Sequence, residues 1–250
     1  MRVLELLQFT DTHLHGDAAG LLRGIATFHT LTRALEHAAG ALQRADGVLV
    51  TGDLVHDDPG GYRLFREAFA TLGKPVWCLP GNHDIPAAMR RALARAPFQV
   101  GGHVDLPGWR IVLLDSVIEA AAGGRLSAKE LQRLEAALAS AADRHVLVCV
   151  HHQPVPMRSR WLDAVGLDNA AEFLAVIDRF PTTVRGLLWG HVHQSFDGER
   201  HGVKLFATPS TCAQFLPFAD DFAVDARPPA YRRLRLLPNG GIETELFWIT

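Results

Sequence analysis

The strongest constraint on this chain is where its polar residues fall: five polar motifs each follow directly on a short, continuously apolar run. Asp11-Thr12-His13 closes the run at 3–9, Gly52-Asp53 follows 48–50, and Gly81-Asn82-His83-Asp84 follows 76–79. His151-His152 follows 146–150, and Gly190-His191-Val192-His193 follows 184–189. Short runs without polar alternation are typical of strands covered on both faces, as in parallel sheets. Helical patterns separate them at 24–45, 62–72, 87–96, 127–142 and 170–180, and a further strand pattern covers 109–114. Ser127 followed three residues later by Glu130 reads as a capping box at the start of its helix. This rhythm implies βαβ units in a largely parallel sheet. After His193 it changes: strands near 204–207, 231–237 and 242–248 are separated by Asp-Gly, Pro-Pro and Pro-Asn-Gly-Gly turns, an antiparallel finish.

Strand ends in an α/β sheet share one rim, where ligands bind, so the motifs are expected to converge. The glycines before Asp53, Asn82 and His191 permit tight turns and a close backbone approach there. Carboxylate, imidazole and amide oxygen together favour Mn, Fe or Zn over Ca or Mg. Asp11, His13, Asp53, Asn82, His151, His191 and His193 are seven candidate ligands, too many for one ion and enough for two sharing a bridging carboxylate. Two ions about 3.5–4 Å apart suit in-line displacement at phosphorus.

The ordered set Asp-x-His, Gly-Asp, Gly-Asn-His-Asp, His-His, Gly-His-x-His resembles the calcineurin-like metallophosphoesterases. More narrowly, the chain is similar to the bacterial class III cyclic-AMP phosphodiesterases. That likeness also covers Leu113-Leu114-Asp115-Ser116, the 159–169 stretch with Trp161-Leu162-Asp163, and 207–215. The resemblance implies an α/β (α+β) fold, a four-layer α-β-β-α sandwich with mixed sheets. It assigns Asp11, His13, Asp53 and His193 to one divalent or mixed-valence ion, and Asp53, Asn82, His151 and His191 to a second, with Asp53 bridging. It makes His83 the acid that protonates the leaving oxygen, with Asp84 expected to orient it or bias it towards the charged form. Asn82, His83, His193 and His152 are the expected substrate contacts. The implied reaction is hydrolysis of a phosphodiester, cyclic AMP to 5′-AMP first, with other cyclic nucleotides and glycerophosphodiesters as alternatives. A non-catalytic scaffold on the same fold is the alternative of another class. The filled ligand positions and His83 argue against it.

Other readings are weaker. His13-Leu14-His15-Gly16-Asp17 resembles a metallo-β-lactamase motif, but Ala18 stands where that motif needs a histidine. The pair His83-Asp84 follows a strand and Pro80-Gly81, unlike the helical His-Asp phosphohydrolases. There is no Walker loop, dinucleotide fingerprint or Gly-x-Ser-x-Gly elbow. The lone histidines His29, His37, His103, His145 and His201 read as structural or surface residues. A length of 250 residues suits one well-filled core, so 1–250 is expected to be a single domain. A formal net charge of −2 argues against nucleic acid or an anionic membrane as partner. The cluster Arg227, Arg232, Arg233 and Arg235 reads as the wet face of a strand. Scattered, odd-numbered Cys78, Cys149 and Cys212, with no secretory signal or spanning run, fit buried free thiols and a cytoplasmic location.

Overall fold

The computed structural model describes residues 2–141 and 143–250. Two six-stranded mixed sheets dominate it. In the first, the parallel strands Leu4–Phe9, Gly47–Thr51, Val76–Leu79 and Phe98–Val100 lie side by side. Ala230–Leu236 and Ile242–Trp248 extend that sheet antiparallel on the free flank of Leu4–Phe9. In the second, Trp109–Leu113, His145–Cys149, Val184–Trp189 and Val203–Ala207 are parallel, with Gly102–Leu106 and Phe196–Arg200 as antiparallel edges.

Three apolar layers explain why these strands lack polar alternation. Leu6, Leu49, Trp77, Ile111, Leu147 and Leu188 belong to the layer between the sheets. Leu7, Val48, Val50 and Cys78 face helices Thr27–His37, Gly61–Ala70 and Pro86–Ala92 on one outer side. Val112, Val146, Val148 and Trp189 face helices Ala128–Ala139 and Ala170–Asp178 on the other. Each central strand is therefore buried on both faces, and the expected α-β-β-α sandwich is present. Among the described residues, no helix is long and apolar enough to cross a membrane.

Several elements differ from expectation. The helix expected over 24–45 starts at Thr27, because Arg23 and Gly24 sit at positive φ in a tight hairpin between Leu21–Leu22 and Ile25–Ala26. It is also interrupted at Ala38. The helix expected over 87–96 ends at Ala92. Ser127 caps Ala128–Ala139, its Oγ accepting from the Glu130 N–H at 3.1 Å. The reciprocal bond is missing: the Glu130 carboxylate accepts from the Asp115 N–H and pairs with Arg133 instead. The expected end of that helix at Ala142 lies outside the described residues.

The arginine cluster divides. Arg233 and Arg235 pair with Glu245 and Glu243 on the outer surface, as expected. Arg232 is 1% exposed, which corrects the reading of a wholly wet face. Strand alternation puts it on the same face as buried Leu234 and Leu236. There its guanidinium donates to the Ala207 carbonyl, Thr208 Oγ1 and Thr244 Oγ1 and pairs with Asp197 at 2.8 Å. That set of acceptors satisfies a buried cation. Cys78, Cys149 and Cys212 are free and buried.

Candidate metal centre

The five motifs converge at the carboxyl ends of the parallel strands of both sheets. His193 Nε2 lies 3.3 Å from Asp11 Oδ1 and 3.1 Å from His13 Nε2. His13 Nε2 lies 3.7 Å from Asp53 Oδ2, and His151 Nε2 lies 3.3 Å from the same oxygen. His151 Nε2 is also 3.2 Å from Asn82 Oδ1. Two groups, Asp11–His13–His193 and Asp11–Asp53–His151, each bring their donor atoms within 4.8 Å of one another. Asp53 faces imidazoles from both sides of the cluster.

The backbone is bent to achieve this. Asp11, His13, Asp53, His191 and His193 all have φ between +45 and +64, a region costly for residues with a side chain. Among the described residues eleven non-glycine positions have positive φ, and five of them are these expected ligands. Strain gathered at one polar cluster marks a site shaped for function. The preceding glycines make room: a Cβ on Gly52 would strike the His151 ring, one on Gly81 would strike Asp53, and one on Gly190 would strike Thr10 and Asp11.

Hydrogen bonds behind the cluster decide which atoms face inward. His151 Nδ1 donates to the Thr51 carbonyl at 2.8 Å, and His193 Nδ1 to the Ala213 carbonyl at 2.6 Å. His191 Nε2 donates to the Val165 carbonyl at 3.1 Å. His13 Nδ1 meets His56 Nδ1 at 3.1 Å. Every one of these imidazoles has one nitrogen committed outward, which leaves the lone pair of the other for an inner partner. Asp53 Oδ1 accepts from the His83 N–H at 2.8 Å, leaving Oδ2 to the cluster. Oxygen and nitrogen donors preset in this way fit divalent ions of intermediate hardness.

The electrostatics agree. Burial holds His13 well below the usual imidazole range, and burial with His151 alongside pushes His191 down to about 3. Both are neutral, as ligands must be. Burial would raise Asp53, but the charge and hydrogen bond of His151 beside it outweigh burial and hold it well below the ordinary carboxylate range. Burial would lower His151, yet Asp53 prevails and pushes it up to about 9. The pair therefore calls for positive charge at this spot, which a divalent ion also supplies.

Around the cluster the structure sorts the remaining candidates. His83 is half-exposed and lines the cavity with Asn82, Asp53 and His193. Asp84 does not touch it, which corrects the expectation that Asp84 orients His83. The Asp84 carboxylate is buried and accepts from the backbone N–H groups of Leu54, Val55 and Gly81 and from Tyr62 Oη, at 2.9–3.3 Å. It ties the loop carrying Asp53 to the loop carrying Asn82. Asp57 stands beside His83 instead, its Oδ2 3.0 Å from Nδ1, while its N–H donates to the His83 carbonyl. His56 packs on the His83 ring with centroids 4.4 Å apart. Sequence reasoning passed over both residues. The signal was there in Gly52-Asp53-Leu54-Val55-His56-Asp57, two more titratable residues three and four positions after Asp53. His152 is fully buried, bonded through Nδ1 to Ser116 Oγ at 2.8 Å, with its ring against His191 and Nε2 unpartnered. It does not line the cavity.

A sandwich of two mixed sheets with such a cluster on its rim defines a metallophosphoesterase fold, and residues 4–195 match the model of the calcineurin-like phosphoesterase family. The chain belongs to that family. It is 40% identical over 240 residues to the 3′,5′-cyclic adenosine monophosphate phosphodiesterase CpdA of Pseudomonas aeruginosa, covering 96% of this chain and 88% of that protein. It is 39% identical to the Escherichia coli (strain K12) protein of the same name, covering 97% and 89%. Among solved structures, a dimetal phosphatase from Danio rerio superposes over 100% of both chains with a TM-score of 0.69 and 15% identity. GAP50, the anchor in the inner membrane complex of Plasmodium, superposes with a TM-score of 0.70 and 11% identity, over 100% of this chain and 86% of that one. These two likenesses concern the fold alone, and function has to be argued from the site.

Proposed function

We propose that this protein is a metal-dependent phosphodiesterase that hydrolyses 3′,5′-cyclic AMP to 5′-AMP. The observation that carries the reading is the inward convergence of four imidazoles, two carboxylates and an amide oxygen, with each imidazole oriented by a partner behind it. The names of the two relatives support cyclic AMP as the substrate. In this reading Asp11, His13, Asp53 and His193 hold one ion, and Asp53, Asn82, His151 and His191 hold the other, with Asp53 shared. Fe, Mn or Zn match the donor set. Two such ions, when bound, activate water and neutralise charge on the phosphoryl oxygens.

The remaining work falls to the chain's own groups. Asp53 and Asp11 supply two negative charges to a buried site, which limits repulsion between adjacent cations. Asn82 and His193 reach into the cavity and offer contacts to the phosphoryl group. His83 donates a proton to the departing ribose oxygen. Its Nδ1, 3.0 Å from Asp57 Oδ2, fixes the ring at the cavity wall and leaves Nε2 for the substrate. Asp57 thereby takes the orienting part that sequence reasoning gave to Asp84. No covalent enzyme intermediate is required. The shared layer between the sheets also supports reading 1–250 as one domain. The low net charge and buried free thiols support a soluble cytoplasmic enzyme acting on a small molecule.

The test is a panel of diesters with Mn- or Fe-loaded protein: 3′,5′-cyclic AMP, 3′,5′-cyclic GMP, 2′,3′-cyclic AMP and glycerophosphocholine, with products separated by chromatography. Selective release of 5′-AMP from the first is expected. Turnover confined to the last, or no turnover of any diester by protein with full metal content, overturns the reading.

A further inference from the structure

The cavity at the ligand cluster, about 280 Å³, has a second half that the hydrolytic chemistry does not use. Trp161, Phe215 and Phe222 form a triangle of edge-to-face rings with centroids 5.1–5.3 Å apart. Phe215 stacks on His193 at 4.0 Å with 8° between the planes, so the aromatic wall is continuous with the candidate ligands. Trp161 comes from the short helix Arg160–Asp163, whereas Phe215 and Phe222 come from the hairpin built on Gln214–Phe215 and Val224–Asp225. Trp161 Nε1 is buried without a hydrogen-bond partner. Phe222, although a large apolar ring, is 42% exposed.

Arg23 closes the other side. It occupies the first turn position of the hairpin Leu21–Leu22/Ile25–Ala26 at φ +52, followed by Gly24 at φ +80. Two consecutive positive φ values make a type I′ turn, where asparagine, aspartate or glycine is the usual occupant. An arginine there is held in a costly conformation, which marks a position shaped by function. Its guanidinium lies 4.3 Å from the Phe222 ring centroid and lines the same cavity. Among the described residues it has no carboxylate partner within ion-pair distance.

A flat aromatic ligand that carries acceptors uses both the rings and the guanidinium. Glycerol offers acceptors but no flat face, and the choline cation, which the rings alone would hold by cation–π attraction, is repelled by Arg23. We propose that Trp161, Phe222 and Arg23 form a nucleobase slot: the base lies against the aromatic wall with the guanidinium at its edge, while its phosphodiester reaches the ligand cluster. This rests on the phosphodiesterase reading and deepens it, because it locates selection for base-bearing diesters over aliphatic ones in two hairpins and the helix Arg160–Asp163, outside the ligand motifs.

The test compares 5′-AMP with ribose 5-phosphate, which share the phosphate and sugar and differ by the base. Binding of each to metal-loaded wild-type protein, Phe222→Ala and Arg23→Gln is measured by calorimetry. Both substitutions lie on exposed hairpin positions, and circular dichroism verifies the fold. Wild type is expected to prefer 5′-AMP by at least about tenfold, since one base–aromatic stack is worth roughly five- to 150-fold. Each variant is expected to lose most of that preference. A wild-type ratio near one, or a preference that both variants retain, overturns the slot. The diester panel separates the two ideas. Hydrolysis with a ratio near one removes the slot and leaves the phosphodiesterase. A strong base preference without hydrolysis of any diester removes the reaction and leaves the slot.

Discussion

Replacing Asp84 with asparagine keeps the shape of the side chain and removes one acceptor oxygen from a fully occupied carboxylate. Oδ2 accepts from Gly81 N at 2.9 Å and Leu54 N at 3.1 Å, and Oδ1 from Tyr62 Oη at 3.0 Å and Val55 N at 3.3 Å. Whichever way the amide turns, its NH₂ faces donors. The less costly orientation points it at Tyr62, whose hydroxyl can rotate to accept, and leaves the Val55 N–H unsatisfied. One stranded buried donor costs about 1–3 kcal/mol. The lost charge adds no further cost, because burial and Asp53 already disfavour it in the folded chain. For a chain of this size, about 1–3 kcal/mol corresponds to a fall in melting temperature of roughly 2–12 °C. Burial, with Asp53 nearby, pushes the Asp84 carboxyl up to about 7, so the comparison belongs at pH 8, where it is ionised. The assay is thermal unfolding followed by circular dichroism, with turnover measured well below the transition. A melting temperature within about 2 °C of wild type, together with a rate loss of about 10²-fold or more confined to poor leaving groups, would refute the clamp and return Asp84 to proton chemistry.

Three further outcomes are expected. His83→Ala retains its metals by elemental analysis yet loses roughly 10²–10⁴-fold in rate on cyclic AMP, with a smaller loss on a nitrophenyl diester that needs no proton; equal losses on both would remove the acid role. Asp53→Asn weakens metal binding at both sites in a calorimetric titration, whereas Asn82→Ala weakens it at one, because Asp53 Oδ2 faces both His13 and His151 while Asn82 Oδ1 meets His151; one ion bound with wild-type affinity in Asp53→Asn would end the bridging assignment. Arg232→Ala destabilises the fold by about 1–3 kcal/mol, since it leaves buried carbonyl and hydroxyl groups without their donor; chemical denaturation showing no measurable change would mean that the buried guanidinium contributes little.

The residue sequence by itself determined the strand–helix rhythm and the seven candidate ligands. Both are short-range matters. A strand buried on two faces needs an uninterrupted apolar run, and a polar turn at its end needs glycine and small loops, so both are written within ten residues. The resemblance of the ordered motifs then extended this to two packed sheets, which periodicity alone could not show. Tertiary structure decided the rest, because it depends on contacts between residues far apart in the chain. Asp84 sits next to His83 in sequence, yet its carboxylate turns to Leu54, Val55 and Tyr62, twenty-two to thirty positions away. The carboxylate that reaches His83 is Asp57, twenty-six positions upstream. Arg232 looked wet because it belongs to a cluster of arginines, although alternation places it with Leu234 and Leu236, and only the second sheet, which brings Asp197 and the Ala207 carbonyl across from it, makes burial tolerable. Arg23 and Phe222 meet over 199 positions of chain, on two hairpins that no local periodicity announces. Adjacency in sequence sets which residues can share a turn; which side chains touch is set by how the sheets and loops pack.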